Sequence, residues 1–463
     1  MIKSPQGLVN ILYTVMIFFS CCAFIILIVK EKRSKSIFNY SKKIKEVITN
    51  ERGIIKKMKL IDGTFIGNHH KTPIHTPDDS RHIFICGTTG SGKTVALANY
   101  IKRAHEMNYP TLIIDGKGDI NRGSLLDITT RLNKGKLYII NMSEPNTSDK
   151  YNPFKNTSPT ICKDMLINLT DWSEEHYKLN TERYLQRVIT LMQLGNIPLS
   201  FQSILCYITK DNFIALSKEL NTNKTITKED HLNNIELAET SGKIAESAIA
   251  RFSLLVESEL GTIFSDNGID IATAMEENAT ILFILNPLLY PETSALMGRL
   301  ILIDSKKAIS KMFSNRQRSF FIYDEINSYA SSVLIDLVNK SRSANVTCIL
   351  ATQSLSDLDA AVNENFKEQI IENCNNYILL RQNSAKNAEV WANIIGTESK
   401  ADTTYQLESR TTGRMIPTGT GTIKFNKQYV FHPDEIKNLK LGEAFFVSKD
   451  YGIKLKIKIN KPF

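Results

Sequence analysis

The sequence is short of paired cysteine. Its 7 cysteines include no C-x-x-C pair and no His/Cys spacing suited to zinc, which excludes a disulfide framework and a zinc module. Cys21 and Cys22 adjoin in an apolar stretch, while Cys86 and Cys348 fall in predicted strands. They read as small buried hydrophobes in a reducing compartment. No internal repeat or low-complexity tail is visible, so repeat arrays are excluded as well. A broad basic face is also missing. The formal charge is +9, but residues 30–59 hold 11 Lys/Arg against 3 Glu, a net of +8, and Lys3 supplies the last charge. Residues 60–463 are therefore close to neutral, and bulk charge gives no sign of a DNA-binding face.

At 463 residues and 42% hydrophobic, the chain has room for two or three globular domains. Residues 8–29 are 22 positions without a charge, broken only by Asn10, Thr14 and Ser20. At about 1.5 Å per residue they would cross a ~30 Å hydrocarbon core. A cleaved signal peptide fits less well, because only Lys3 precedes the run and basic residues follow at once. The flank 30–59 predicts a single-pass anchor with the bulk of the chain in the cytoplasm. Ile37, Phe38, Ile44, Val47 and Ile48 would line the apolar side of a juxtamembrane helix there. Its charge would meet anionic lipid or, alternatively, form a collar for DNA. Residues 60–80, rich in Gly, Pro and His, read as an irregular linker. His69, His70 and His75 lack the His/Cys ligand spacing that would make a metal site.

The most informative stretch is 81–118. An apolar run of strand type, 82–86, leads into GTTGSGKT: Gly87, Thr88, Thr89, Gly90, Ser91, Gly92, Lys93 and Thr94. Helical spacing follows over 95–106, with Leu97, Ile101 and Ala104 on one face. This is the GxxxxGK[ST] phosphate-binding loop in its strand–loop–helix setting. The glycines would let backbone N–H groups face phosphate oxygens at a helix N-terminus. Lys93 would hold the β- and γ-phosphates and the Thr94 hydroxyl would ligate Mg²⁺, so the chain is expected to bind ATP or GTP.

Further strands are predicted at 111–115, 136–142, 280–285, 319–323, 347–352 and 376–380, with helices such as 293–313 and 332–341 between them. This alternation predicts an α/β fold with a mainly parallel sheet covered on both faces. Residues 160–255 change character: helical periodicity at 161–169, 182–194, 201–220 and 244–256 predicts an inserted all-α domain, with 221–234 as its polar loop. The expected organisation is an anchor at 1–29, a basic segment and linker at 30–80, a nucleotide-binding domain at 81–159 and 256–463, and the insert between. Residues 444–448 and 452–459 read as a terminal hairpin, in which Lys454, Lys456 and Lys458 share a face as protection of a sheet edge.

FFIYDE, residues 320–325, is an apolar strand ending in two acids, expected beside the phosphate-loop strand. Asp324 would hold the Mg²⁺ water shell and Glu325 would polarise the attacking water. Gln353 ends the strand 347–352 at the carboxyl rim, where parallel sheets bind ligands. It would sense the γ-phosphate or, alternatively, cap the next turn. Asp115 and Lys117 share that rim, in catalytic or structural ion-pair roles. Arg342 stands five residues before the strand, at the opposite rim. It would reach a neighbouring subunit's nucleotide as an arginine finger or, alternatively, cap the helix 332–341.

With GTTGSGKT, DGKGD at 115–119, YNPF at 151–154, YDE at 323–325 and SRSANVTCILATQSLSDL at 341–358, the chain resembles the type IV secretion coupling proteins. WANIIGT at 391–397 and HPDEIKNLKLGEAFFV at 432–447 also fit, and the resemblance covers roughly 80–463. It implies a RecA-like motor domain, a homo-hexameric ring, a place in the bacterial inner membrane, and ATP and Mg²⁺ as ligands. Its function would be coupling of ATP hydrolysis to transfer of relaxase-bound single-stranded DNA into the channel components of the secretion system. Two departures stand out: members commonly have two transmembrane helices, and some carry a long C-terminal tail for partner choice. Rival readings are another ring ATPase, such as a chromosome-type DNA pump or a secretion ATPase without DNA, and an ATP-switched cargo-docking receptor.

Overall fold

Short apolar runs without helical spacing become strands here, and in the centre of the sheet they are buried on both faces. The computed structural model describes residues 15–26, 28–29, 53, 62–79, 81–362, 365–409 and 415–463. The strands are β1 (Gly63–His69), β2 (Thr72–Pro77), β3 (His82–Cys86), β4 (Thr111–Asp115), β5 (Leu137–Asn141), β6 (Thr280–Ile284) and β7 (Ser319–Asp324). They continue with β8 (Val346–Thr352), β9 (Cys374–Leu379), β10 (Thr397–Ser409), β11 (Met415–Tyr429), β12 (Glu443–Ser448) and β13 (Ile453–Ile459). Eleven strands form one sheet in the order β2-β1-β13-β12-β9-β3-β8-β7-β4-β6-β5. From β9 to β5 every neighbouring pair is parallel. From β9 to β2 every pair is antiparallel. Every residue of β3, β4, β7 and β8 is buried. Successive side chains of a strand point to opposite faces, so both faces of the parallel sheet are covered. This is the expected α/β class.

Six α-helices lie between β5 and β6: Pro159–Ile167, Glu175–Leu194, Phe201–Tyr207, Lys210–Thr222, Lys228–Val256 and the short Ile271–Glu276. The single helix expected over 201–220 is two, separated at Ile208–Thr209. The polar loop expected over 221–234 is mostly helix. Thr227 starts the long helix with a capping box to Asp230, and Arg187 bonds to Asp230 and Asn234 from the facing helix. Its polar residues thus serve a cap and an interhelical contact, which composition alone reads as loop.

Three other expectations are corrected. The linker read over 60–80 holds the hairpin β1–β2, whose register shift between Phe65 and Gly67 breaks the alternation a strand would show. β13 is flanked by β1 and β12, so its lysine row does not protect an edge; the edge strand on that side of the sheet is β2. The hairpin β10–β11 forms a separate two-stranded sheet that the polar sequence did not suggest.

The chain divides into units 1–60 and 61–463. In the first, residues 15–26 and 28–29 are helical, with exposed apolar side chains such as Phe18, Phe19 and Ile26. The predicted span 8–29 lies partly outside the described residues, and no described helix is long and apolar enough to cross a membrane. The predicted basic helix 30–59 lies outside them apart from Gly53.

Two buried polar arrangements hold the second unit together. Lys307, from the helix Pro291–Met312, sits 2.8 Å from Asp270 and 2.9 Å from Asp304 and donates to the Pro153 carbonyl at 2.7 Å. The Tyr151 hydroxyl donates to Asp304 at 2.9 Å, so the YNPF turn is pinned to that helix where the helical segment leaves the sheet. At the start of β3, His82 Nδ1 accepts from the Cys348 amide at 3.1 Å. Its Nε2 therefore carries the proton and donates to the Val338 carbonyl at 2.9 Å. Burial outweighs that hydrogen bond and lowers the imidazole to about 4. The folded state thus prefers neutral His82, a preference complete above the unfolded value near 6.5 and lost as pH falls towards 4. Between pH 7 and 5 it is expected to remove roughly 2 kcal/mol of stability. The check compares denaturant midpoints at both pH values for the parent and His82→Gln. Groups with other slopes, such as Asp115, cancel in that difference, and equal pH slopes for the two proteins would refute the assignment.

Candidate active site

The phosphate loop runs from the carboxyl end of β3 into the helix Lys93–Glu106. Gly90 and Gly92 take φ of 73° and 111°, left-handed values that a side chain would strain, and they turn the loop over the helix end. The loop is tied down from behind by Gly87 N–H to the Thr352 carbonyl and Thr88 N–H to the Arg381 carbonyl. No side chain caps the helix, which leaves its first N–H groups open to an anion. The Thr88 and Ser91 hydroxyls are buried without hydrogen-bond partners. These orphaned donors around a left-handed turn fit phosphate oxygens. Thr94, second in the helix, is half-buried.

The acids come from β7, which is not adjacent to β3 as expected; β8 lies between them. The reach is made by side chains. Lys93 Nζ lies 3.0 Å from Glu325 Oε1, both groups almost fully buried. Gln353, just past β8, donates from Nε2 to the same oxygen at 3.2 Å and accepts from the Thr89 hydroxyl at 3.0 Å. The intervening strand thus supplies the bridge between loop and acid. Glu325 has φ of 49°, an unfavourable backbone for glutamate and one held at functional sites by surrounding contacts.

Asp324 is fully buried and neither carboxylate oxygen has a hydrogen-bond partner. Its nearest cation is Lys117 Nζ at 3.4 Å, which also lies 3.6 Å from Glu325 Oε1. Burial pushes the Asp324 carboxyl up, with Lys117 opposing. Asp115, paired with Asp324 in the β4–β7 register, is pushed up to about 7 by burial and then by the Asp324 charge. Burial alone would lower the Lys117 ammonium, but Asp324, Glu325 and Asp115 outweigh it and hold it above the usual lysine value. An Asp with two buried, unbonded oxygens beside an open phosphate cradle suits the hydration shell of a divalent cation. Thr94 and Asp324 therefore fit Mg²⁺ chemically.

The structure brings Lys93, Thr89, Asp324, Glu325 and Gln353 together. It does not bring Arg342, which lies exposed in a short turn before β8, at the other end of that strand. Sequence reasoning passed over Arg381 and Gln382, which follow β9 at the loop's back; Gln382 contacts Cys86 Sγ at 3.6 Å. Their only signal was a place after a parallel strand. A polar cavity of about 330 Å³ lined by Arg183, Arg187, Asp230 and Asn234 lies in the helical segment and contains none of the cluster. Charge and orphaned donors, not cavity size, single out the sheet rim.

Comparison with known proteins agrees with this architecture. A family model described as the TraM recognition site of TraD and TraG matches residues 318–441. Another, described as the type IV secretion-system coupling protein DNA-binding domain, matches residues 67–123. An uncharacterized protein of Mycoplasma pneumoniae is 33% identical over 103 residues, 22% of this chain and 69% of that protein. The unbound bacterial conjugative coupling protein TrwBdeltaN70 superposes with a TM-score of 0.63 at 16% identity, covering 89% of this chain and 92% of its own. TrwB in complex with ADP and Mg²⁺ gives 0.61 at 16% identity and the same coverage. VirB4 of Thermoanaerobacter pseudethanolicus gives 0.53 at 15% identity, covering 86% and 98%. The superpositions establish a RecA-like fold, while the family models fall on the phosphate loop and on the β7–β9 region that completes its site. The chain belongs to the type IV secretion coupling-protein family.

Proposed function

We propose that this chain is an ATPase that couples ATP hydrolysis to recruitment and transfer of relaxase-bound single-stranded DNA into a type IV secretion channel during conjugation. The observation that carries the reading is the convergence of Lys93, Glu325 and Gln353 beside an uncapped phosphate loop. A binding protein needs the loop; a positioned carboxylate suits turnover. The TrwB structures with ADP and Mg²⁺ and with an ATP analogue support ATP and Mg²⁺ as the ligands. Lys93 would bind the β- and γ-phosphates, and Thr94 with Asp324 would hold Mg²⁺, which neutralises charge on the phosphate oxygens. Glu325 Oε2, buried and unbonded, is the atom available to accept the proton of the attacking water. The bond from the γ-phosphorus to its bridging oxygen breaks and ADP leaves. Gln353 would sense the γ-phosphate through its link to Thr89.

The decisive measurement is the ATPase rate of the full chain with and without single-stranded DNA. Hydrolysis stimulated by DNA is expected, and no hydrolysis under either condition would rule the motor out. The insert, residues 160–255, is the proposed cargo or DNA face, because its length exceeds what a strand connection requires.

Residues 8–29 are proposed as a single-pass anchor in the inner membrane, followed by the basic flank 30–59. Residues 61–463 form a compact unit without them. Removing residues 1–59 is expected to give a soluble protein that binds ATP–Mg²⁺ but assembles weakly and does not support transfer. A folded truncated chain still sedimenting with membranes would show a second membrane-binding surface and refute this assignment.

A further inference from the structure

The lysine of DGKGD is left without a function by the phosphate loop and the acid pair. Its placement is built. Lys117 N–H bonds to the Asp115 carboxylate at 2.9 Å, closing the turn after β4. Gly118 takes a φ of 72°, and a Cβ there would meet the Leu285 carbonyl at 2.4 Å. A Cβ on Gly116 would meet the Asp324 and Glu325 carbonyls, each at 2.9 Å. Only a turn without side chains on either side of Lys117 lies this close to the end of β7. It delivers Nζ to 3.4 Å from Asp324 and 3.6 Å from Glu325.

Glu325 is held unevenly. Lys93, Lys117 and Gln353 all approach Oε1, and none bonds to Oε2. One carboxylate oxygen is anchored and the other is free. A nucleotide would change this balance, because its phosphate oxygens would compete with Glu325 for the Lys93 ammonium. Once Lys93 turns away, Lys117 is the cation that remains on Oε1, with Gln353 as the neutral donor beside it. Glu325 also sits in a left-handed backbone and depends on such contacts for its position.

We propose that Lys117 is the positioning residue for the general base: it tethers Glu325 through Oε1 when phosphate draws Lys93 away, and so keeps Oε2 directed at the attacking water. This rests on the ATPase reading given above. Lys117 acts on the reaction through Glu325 rather than through a contact to the phosphates.

The test uses the full-length protein with Lys117→Ala, Lys117→Arg, Glu325→Gln and the Lys117→Ala/Glu325→Gln pair. Lys117→Ala is expected to lower kcat by roughly 10- to 100-fold while KM for ATP and affinity for a fluorescent ATP analogue stay within about threefold. Lys117→Arg keeps the charge and is expected to recover at least ~10% of the parent rate, limited by its different donor geometry. The pair is expected to be no slower than Glu325→Gln alone, because the tether has no base left to position. A parent that hydrolyses ATP with Lys117→Ala equally fast overturns the inference and leaves the ATPase reading standing. So does a raised KM with unchanged kcat, which would make Lys117 a phosphate contact. Multiplicative losses in the pair would assign it a role independent of Glu325 and overturn the tether. A parent that hydrolyses no ATP removes the ATPase reading and the inference together. Lys117→Gln, close in length and uncharged, guards against misfolding: with the parent's melting temperature it must show the same kcat loss, and a parent-like rate overturns the proposal.

Discussion

Glu325→Gln is expected to bind ATP–Mg²⁺ as the parent does and to turn it over at least ~10²-fold more slowly, the loss typical when a positioned base is removed. The substitution preserves shape and leaves an amide oxygen for Lys93, Lys117 and Gln353, which approach Oε1 in the parent. What it removes is the ability of the other position to take a proton. Binding should survive because the loop, the helix N-terminus and Lys93 are untouched. Lys93→Ala is the contrast. It removes the γ-phosphate contact and leaves Glu325 without its 3.0 Å ion partner, so both binding and hydrolysis fall. Equilibrium nucleotide binding and single-turnover hydrolysis separate the two cases. A Glu325→Gln protein hydrolysing at the parent rate would exclude Glu325 as the base. It would also favour the rival reading of an ATP-switched docking receptor, which needs binding but no base.

Arg342→Ala and Lys93→Ala are each expected to be inactive alone and to regain activity when mixed. Gln353 follows the carboxyl end of β8 and touches the loop, whereas Arg342 precedes the amino end. The length of the strand puts Arg342 on the order of 20 Å from its own nucleotide site. Its guanidinium would then serve a neighbouring subunit across a head-to-tail interface that closes into a ring, the proposed homo-hexamer. There it would neutralise charge in phosphoryl transfer, an effect worth ~10³-fold or more in other nucleotide hydrolases. Mixed rings contain interfaces where an intact Lys93 faces an intact Arg342, and these would hydrolyse ATP. The measurement is ATPase rate across mixing ratios, with co-assembly verified by crosslinking. An active Arg342→Ala protein would end the idea, and its Arg would then simply cap the helix Ser332–Ser341, whose C-terminal position it occupies.

The sequence by itself determined the parts whose physics is local. The phosphate loop needs small residues and a following helix at fixed spacing, so GTTGSGKT was legible in eight consecutive letters. The central strands were legible because burial on both faces demands unbroken apolar runs, as in HIFIC, TLIID and SFFIYD. Asp324, Glu325 and Gln353 followed from lying at strand ends. Tertiary structure alone decided what depends on which strands become neighbours. It placed β8 between the loop strand and the acid strand, which turns Gln353 into the link between Thr89 and Glu325. It also put β13 inside the sheet, removing the edge role of its lysines, and recruited the linker 60–80 to form the edge on that side. The same holds for Lys117, whose ion partners are more than 200 positions away along the chain. Strand order and long-range ion pairs arise from the free energy of packing the whole sheet, which no local window of sequence contains.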